Sequence, residues 1–223
     1  MTALDVATAY RLWAPAYSPE NAVSAIEDRL VREMAPKLAG MRLLDAGCGT
    51  GRRAAEADAA QVTGVDQSAE MLGIARHLCP PHVTLIQGDI RALPVADAST
   101  DMTWCRLVIG HLPDCAAVYR ELARVTAVDG TVIVTDFHPH AHAAGHRRTF
   151  RAGRKVHEVE HYPHSLEDHL VQASHAGLRA LSIREGVIGK EVRHFYAAAN
   201  KIASFERDLG LNVVLALAFR RIR

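Results

Sequence analysis

The sequence predicts an α/β fold organised around a parallel sheet, on three observations. Short β runs rich in Val, Ile and Leu alternate with helical patterns from residue 43 to residue 137. A glycine loop, Gly47-Cys48-Gly49-Thr50-Gly51, joins the first β run to the helix after it. Ligands of such sheets bind beyond the carboxyl ends of the strands. Asp45, Asp66, Asp89, Cys105, Arg106, His111 and His138 all fall there and are expected to face one crevice.

Residues 1–21 hold Tyr10, Trp13 and Tyr17 around Pro15 and Pro19. Residues 22–38 read as an amphipathic helix with Val23, Ile26, Leu30 and Met34 on one stripe. Leu43 and Leu44 end the first β run, and residues 52–60, rich in Ala, Arg and Glu, form the helix behind the glycine loop. Residues 61–66 are the second strand; Ser68 caps a helix over 69–78, which Pro80-Pro81 terminates. Residues 83–90 and 101–108 are the third and fourth strands. Asp114 reads as the N-cap of a helix over 115–126 that closes at Asp129-Gly130, and residues 131–137 form a fifth, buried strand. Parallel strands joined through helices require right-handed crossovers.

Beyond Pro139 the composition changes. Residues 149–151 and 156–162 flank Ala152-Gly153-Arg154 as a small hairpin. Ser165 caps a helix over 166–176 ended by Gly177; a sixth strand over 178–188, a helix over 191–209 and a last strand over 211–220 follow. One domain is expected, with segments 1–38, 40–137, 138–164 and 165–223, the last interrupted by the helical piece 191–209.

With 26 Lys+Arg against 25 Asp+Glu, the net charge of +1 offers polyanions no bulk attraction, and nucleic acid is not expected as a substrate. The basic run Arg147, Arg148, Arg151, Arg154 and Lys155 is a local exception; Arg147, Arg148 and Arg151 meet either an acidic substrate or solvent. No stretch reaches the roughly eighteen apolar residues that span a bilayer, and the N-terminus has no apolar run behind a basic patch. A soluble, cytoplasmic protein with no membrane partner is therefore expected. The four cysteines form no C-x-x-C pair, so neither a zinc site nor a disulfide framework is indicated.

The loop's charges select its ligand. Bare backbone N–H groups at the positive end of a helix suit a nucleotide cofactor. A dinucleotide loop of the G-x-G-x-x-G kind holds a pyrophosphate, which an acid at its mouth repels. Here the spacing is G-x-G-x-G with Asp45 two residues before Gly47. A carboxylate there suits a ligand with an ammonium group, such as the methionine end of S-adenosylmethionine. Asp66, 19 residues after Gly47 at the end of the second strand, can chelate ribose hydroxyls.

On these residues the chain resembles the class I S-adenosylmethionine-dependent methyltransferases, in particular their bacterial small-molecule (type 11-like) branch. The resemblance covers residues 10–139 with specific motifs and the remainder only in strand order. It implies a Rossmann-like, doubly wound, seven-stranded sheet, mostly parallel with the last strand antiparallel. Helices on both faces, an N-terminal helical lid and a small hairpin insertion after the fifth strand complete that fold. It also implies S-adenosyl-L-methionine as cofactor, S-adenosyl-L-homocysteine as product, a small-molecule methyl acceptor at oxygen, nitrogen or carbon, and a monomer or homodimer. The family's Tyr-x-x-x-Ala-x-x-Tyr lid pattern is Tyr10, Ala14 and Tyr17 here; the rings meet sulfonium and substrate, or they staple the first helix to the core. By resemblance the cofactor site comprises Tyr17, Asp45, Gly47, Gly49, Gly51, Asp66, Gln67, Asp89, Ile90, Cys105 and Arg106. Asp89 would meet the adenine amino group with Ile90 on the ring; the alternative for Asp89 is a turn former. A non-catalytic scaffold that binds the same cofactor or a partner is the competing function, and an NAD-dependent oxidoreductase conflicts with Asp45 and the glycine spacing.

Hydroxyl or ammonium acceptors must lose a proton, and a histidine near neutral pKa suits that task. His111 and His138 are the candidates at strand ends; His111 is either a base or a loop scaffold, and His138 either meets substrate or packs its loop. Ten of the thirteen histidines lie between 138 and 194. His138, His140, His142 and His146 would bind an ion only if their loop wraps one, and without a cysteine or acid at zinc spacing no metal is expected. His194 on the late helix is a further candidate for the substrate side.

Overall fold

The protein is described by a computed structural model covering residues 3–17 and 20–223; Pro19, one of the two prolines beside the N-terminal aromatics, lies outside the described residues. In chain order the elements are α1 (Val6–Trp13), α2 (Ala22–Met34), β1 (Arg42–Ala46), α3 (Arg52–Glu56), β2 (Gln61–Asp66), α4 (Ala69–Leu78), β3 (Val83–Gln87), β4 (Thr100–Arg106), α5 (Ala116–Val125) and β5 (Thr126–Phe137). Then come α6 (Pro139–Ala143), β6 (Thr149–Ala152), β7 (Lys155–Glu158), α7 (Leu166–His175), β8 (Leu178–Val187), α8 (Arg193–Ala198), α9 (Ile202–Asp208) and β9 (Asn212–Arg221).

Seven strands form one sheet in the order β3-β2-β1-β4-β5-β9-β8. The first five are parallel, and β9 inserts antiparallel between β5 and β8. This is the seven-stranded, mostly parallel sheet expected, with the last strand in sequence antiparallel. Alternation along the strands sends Leu44, Ala46, Cys105 and Val134 to the face covered by Tyr119 and Leu122 of α5 and Ala173 of α7. Leu43, Met102, Trp104 and Ile133 point the other way, against Val31 of α2. Burying both faces follows from crossovers that place helices on each side.

Caps fix the helix starts. Asn21 and Ser24 exchange hydrogen bonds as a capping box on α2, Ser68 accepts from Met71 N–H on α4, and Ser165 and Asp168 form a second capping box on α7. The helix behind the glycine loop stops at Glu56, because Ala60 and Gln61 N–H must reach Met41 C=O to start β2 beside β1. The helix expected over 191–209 is two short pieces separated at Asn200, whose φ of 55° is left-handed, a conformation Asn tolerates. β5 begins directly after α5, with Thr126 opposite Thr100 ahead of a register shift.

The insertion is the two-stranded hairpin β6–β7, turned by Gly153-Arg154. Its second strand ends at Glu158, earlier than expected, because the chain then pairs with the N-terminus: Leu4 N–H donates to Glu158 C=O and Glu160 N–H to Leu4 C=O. Ala9 of α1, Phe150 and Val159 share a small core to which Tyr10 and Trp13 add their rings. N-terminal lid and hairpin thus form one cap. Among the described residues no helix is long and apolar enough to cross a membrane.

Candidate cofactor and acceptor site

At the end of β1 the chain doubles back over β2: Gly47 and Cys48 N–H both donate to Val65 C=O, at 2.7 and 3.0 Å. Gly47 has φ 82° and Gly49 φ 55°, in the left-handed region where a side chain is strained. A Cβ on Gly47 would stand 2.4 Å from Val108 Cγ2, so loop and β4 end approach as only glycine permits. Asp66 at the end of β2 clamps the loop: Oδ2 accepts Gly49 N–H at 2.8 Å and Oδ1 accepts Ser68 N–H at 2.9 Å. Burial raises its carboxyl above the ordinary range, with the two N–H groups pulling the other way.

A cavity of about 950 Å³ opens here, and Tyr17, Gly47, Gly49, Asp66, Gln67, Asp89, Ile90, Arg106 and His111 line it. Asp45, Gly51, Cys105 and His138 are not among its lining residues. Asp45 lies on the Leu43 side of β1, only 2 % exposed, and burial pushes its carboxyl up to about 6 against the pull of Arg106 and Arg53. Asp45 thus does not border the cavity, where the sequence placed it as a partner for a ligand's ammonium group. Cys105 points to the α5 side and is fully buried, and burial pushes its thiol far up. Gly51 sits at the N-terminus of α3.

His138 is spent on structure. Its Nδ1 accepts His140 N–H at the start of α6, so Nε2 carries the proton that faces Glu185 Oε1 at 3.1 Å. Asp89 lines the cavity with its carboxylate gripped by Arg91 through the backbone N–H and guanidinium, which holds it below the ordinary range. His194 is exposed and bonds Glu191 C=O. Among the described residues no group of three or more His, Cys, Asp or Glu is placed to hold a metal ion.

Arg106 borders the cavity, yet its guanidinium belongs to a network that sequence reading missed. Glu27 of α2, fully buried, accepts from Arg106 Nε at 2.7 Å, Arg106 Nη2 at 2.9 Å, Arg53 Nη2 at 2.5 Å and Thr135 Oγ1 at 2.9 Å. Asp28 takes a further contact from Arg106 at 2.8 Å. Burial by itself would raise the Glu27 carboxyl, but the two arginines outweigh it and hold the group below the ordinary range. A signal existed: Glu27 is Val23+4 and Leu30−3, a charge inside the apolar stripe of α2.

Tyr10 and His111, which also line the cavity, meet each other. His111 Nδ1 is 3.1 Å from Glu160 C=O, which can only accept, so that nitrogen carries the hydrogen. Nε2 is then the acceptor and Tyr10 OH donates to it at 2.8 Å. Burial, seconded by the charge of Arg148, lowers His111 to about 3. The folded chain therefore leaves His111 neutral until the pH nears 3, whereas the unfolded chain protonates it near 6.5. Its contribution to stability is whole above pH ~6.5 and drains as the pH falls through that window, by about 2 kcal/mol at pH ~5. His111→Gln is expected to lose that much less stability than the unaltered chain between pH ~7.5 and pH ~5 in urea unfolding. Equal losses would mean that the buried imidazole takes up its proton as readily as in the unfolded chain.

A glycine loop clamped by a carboxylate from the next strand, opening on a cavity beyond the strand ends, defines a nucleotide-cofactor protein of the α/β class. Residues 44–134 match the family model described as a methyltransferase domain. The chain is 32% identical over 178 residues to 27-O-demethylrifamycin SV methyltransferase of Amycolatopsis mediterranei (strain S699), covering 74% of this chain and 64% of that protein. It is 34% identical over 137 residues, 56% of each chain, to the ubiquinone biosynthesis O-methyltransferase of Bordetella bronchiseptica. The chain thus spans less than two thirds of the length of these curated relatives. The crystal structure of an S-adenosylmethionine dependent methyltransferase from Mesorhizobium loti has the same fold, with a TM-score of 0.70 at 21% identity over 90% of this chain and 100% of that one. The chain belongs to the class I S-adenosylmethionine-dependent methyltransferase family.

Proposed function

We propose that the protein transfers a methyl group from S-adenosylmethionine to an oxygen of a small-molecule acceptor. The observation that carries the reading is the Asp66 clamp on the Gly49 N–H at the wall of the cavity that also holds Tyr10 and His111. The residues fit the cofactor: nothing lies within 4 Å of the point where a Cβ on Gly49 would stand, leaving bare backbone for a ligand to approach. Asp66 keeps lone pairs for ribose hydroxyls beyond its two N–H bonds, and Gln67, Asp89 and Ile90 offer contacts for the base. When bound, the cofactor supplies an electrophilic methyl group on a sulfonium that becomes a neutral thioether.

The protein's own part is alignment, for which ~7–11 kcal/mol of barrier is available in the best intramolecular models. Tyr17 and Trp13 in the cap line the cavity with their ring centroids 4.9 Å apart and offer apolar surface to a bound ligand. His111, neutral and with Nδ1 on Glu160 C=O and Nε2 on Tyr10 OH, positions the Tyr10 hydroxyl to meet the acceptor oxygen, and the proton that an acceptor hydroxyl loses passes to water rather than to His111. Oxygen is favoured as the acceptor atom by the two curated relatives, one named for 27-O-demethylrifamycin SV and one an O-methyltransferase.

Thermal melting with S-adenosylmethionine, S-adenosylhomocysteine or NAD tests the reading. At ~100 times the dissociation constant, either S-adenosyl ligand is expected to add about 2.7 kcal/mol, a rise of roughly 5–11 °C in midpoint. Asp66→Ala should lose that rise. A response to NAD alone, or to none of the three, removes the methyltransferase reading; a response without turnover on any phenol or alcohol leaves a binding scaffold.

A further inference from the structure

We infer that the methyl acceptor carries an anionic group, a carboxylate or an acidic hydroxyl, and that Arg148 is the residue that holds it. This deepens the methyltransferase reading and rests on it. Arg148 immediately precedes β6, and its C=O accepts Val159 N–H at 2.8 Å, so the hairpin fixes its backbone. Its side chain is half-buried and lines the cavity, where Nη2 donates to Tyr10 OH at 3.3 Å.

Among the described residues no carboxylate lies within 4.0 Å of that guanidinium. Of the other basic residues lining the cavity, Arg106 and Arg53 are engaged with Glu27, Arg91 with Asp89, and Arg147 with the carbonyls of His142 and His146, while Arg11, Arg52 and Lys201 make no ion pair with a described residue; Arg148 differs from these three in its hydrogen bond to Tyr10. Asp136, the acid whose charge reaches Arg148, is committed elsewhere. Its Oδ1 accepts Phe137 N–H and faces His161 Nε2 at 3.9 Å, and its Oδ2 faces His169 Nε2 at 3.4 Å. A partly desolvated cation without a counter-charge is unfavourable until a ligand supplies one. A guanidinium fork matches a carboxylate in shape as well as in charge.

The placement assigns that anion to the acceptor rather than to the cofactor. Arg148 stands with Tyr10 and His111 under the cap, in the insertion, outside the stretch 44–134 that matches the family's methyltransferase domain. Trp13, Tyr17, Phe195 and Tyr196 add ring surface to the same cavity. An aromatic or polycyclic acid is the substrate class this combination accommodates.

The experiment is a titration of the protein, saturated with S-adenosylhomocysteine, with benzoate and with its neutral isostere benzamide. Benzoate is expected to bind about tenfold more tightly than benzamide. Arg148→Met should erase the preference while leaving S-adenosylhomocysteine affinity unchanged, which also shows that the variant is folded; Arg148→Lys should restore part of it. Equal binding of the two probes by the unaltered protein overturns the inference. So does an Arg148→Met variant that loses about tenfold in S-adenosylhomocysteine affinity while benzoate binds only the ligand-free protein, because Arg148 then holds the cofactor's own carboxylate. Failure of S-adenosylhomocysteine to bind the unaltered protein removes the methyltransferase reading itself, and this inference with it.

Discussion

Glu27→Ala is expected to destabilise the fold by about 3–5 kcal/mol, read as a fall in the urea midpoint at unchanged slope. The carboxylate is fully buried and is the common acceptor for Arg106, Arg53 and Thr135. Removing it leaves Arg106, whose side chain is 3 % exposed, with Asp28 as its remaining acid and packed on the Trp104 ring at 5.0 Å. Arg53, with a side chain 19 % exposed, can swing towards water, so most of the cost falls on Arg106. A paired Glu27→Met and Arg106→Met variant should recover much of the loss, since an apolar pair of similar volume replaces a buried ion pair with little penalty. A single-variant loss below about 1 kcal/mol would mean that the pair is open to solvent.

Gly47→Ala is expected to cost about 2–5 kcal/mol and to abolish the thermal response to S-adenosylhomocysteine. Two penalties combine: the left-handed φ of 82° costs an L-residue roughly 1–2 kcal/mol, and the methyl group overlaps Val108 Cγ2 at 2.4 Å, overpacking worth about 1–3 kcal/mol. Val108→Ala in the same chain should relieve the second penalty and leave the first. Gly49→Ala isolates the other half of the argument, because nothing stands within 4 Å of its Cβ position. It should retain more stability than Gly47→Ala while still losing cofactor affinity, since its methyl group narrows the space left for the ligand. Equal stability losses for the two alanines would contradict the close approach of the loop to the end of β4.

Much of the fold was legible because its signals are local. The β runs expected at 61–66, 83–90 and 101–108 and observed as Gln61–Asp66, Val83–Gln87 and Thr100–Arg106, the Ser68 and Ser165 caps, and the hairpin around Gly153 each rest on hydrophobic period, capping or turn chemistry within a few residues. Asp66 and the glycines were legible for the same reason, as loop, carboxylate and strand end lie close in sequence. What failed was orientation. Asp45, Cys105 and Arg106 all sit near strand ends, but Cys105 turns to the α5 face, Asp45 is buried outside the cavity wall, and Arg106, on the same face as Asp45, is tied to Glu27. His138 stands after a strand end, yet its ring is consumed as the cap of α6 and the partner of Glu185.

The sequence by itself determined an α/β chain with a nucleotide-cofactor loop, because the glycine spacing, Asp66 and the strand–helix alternation are properties of contiguous stretches, and on those residues it resembled the methyltransferase family. The tertiary structure decided which charges matter. Glu27 meets Arg106 across 79 positions and Arg148 meets Tyr10 across 138, separations over which no sequence pattern reports contact. His111 was either a base or a loop scaffold in the sequence, and its pKa is lowered to about 3, because burial and a neighbouring guanidinium set the charge of an imidazole, and both arise only when the cap folds over the strand ends.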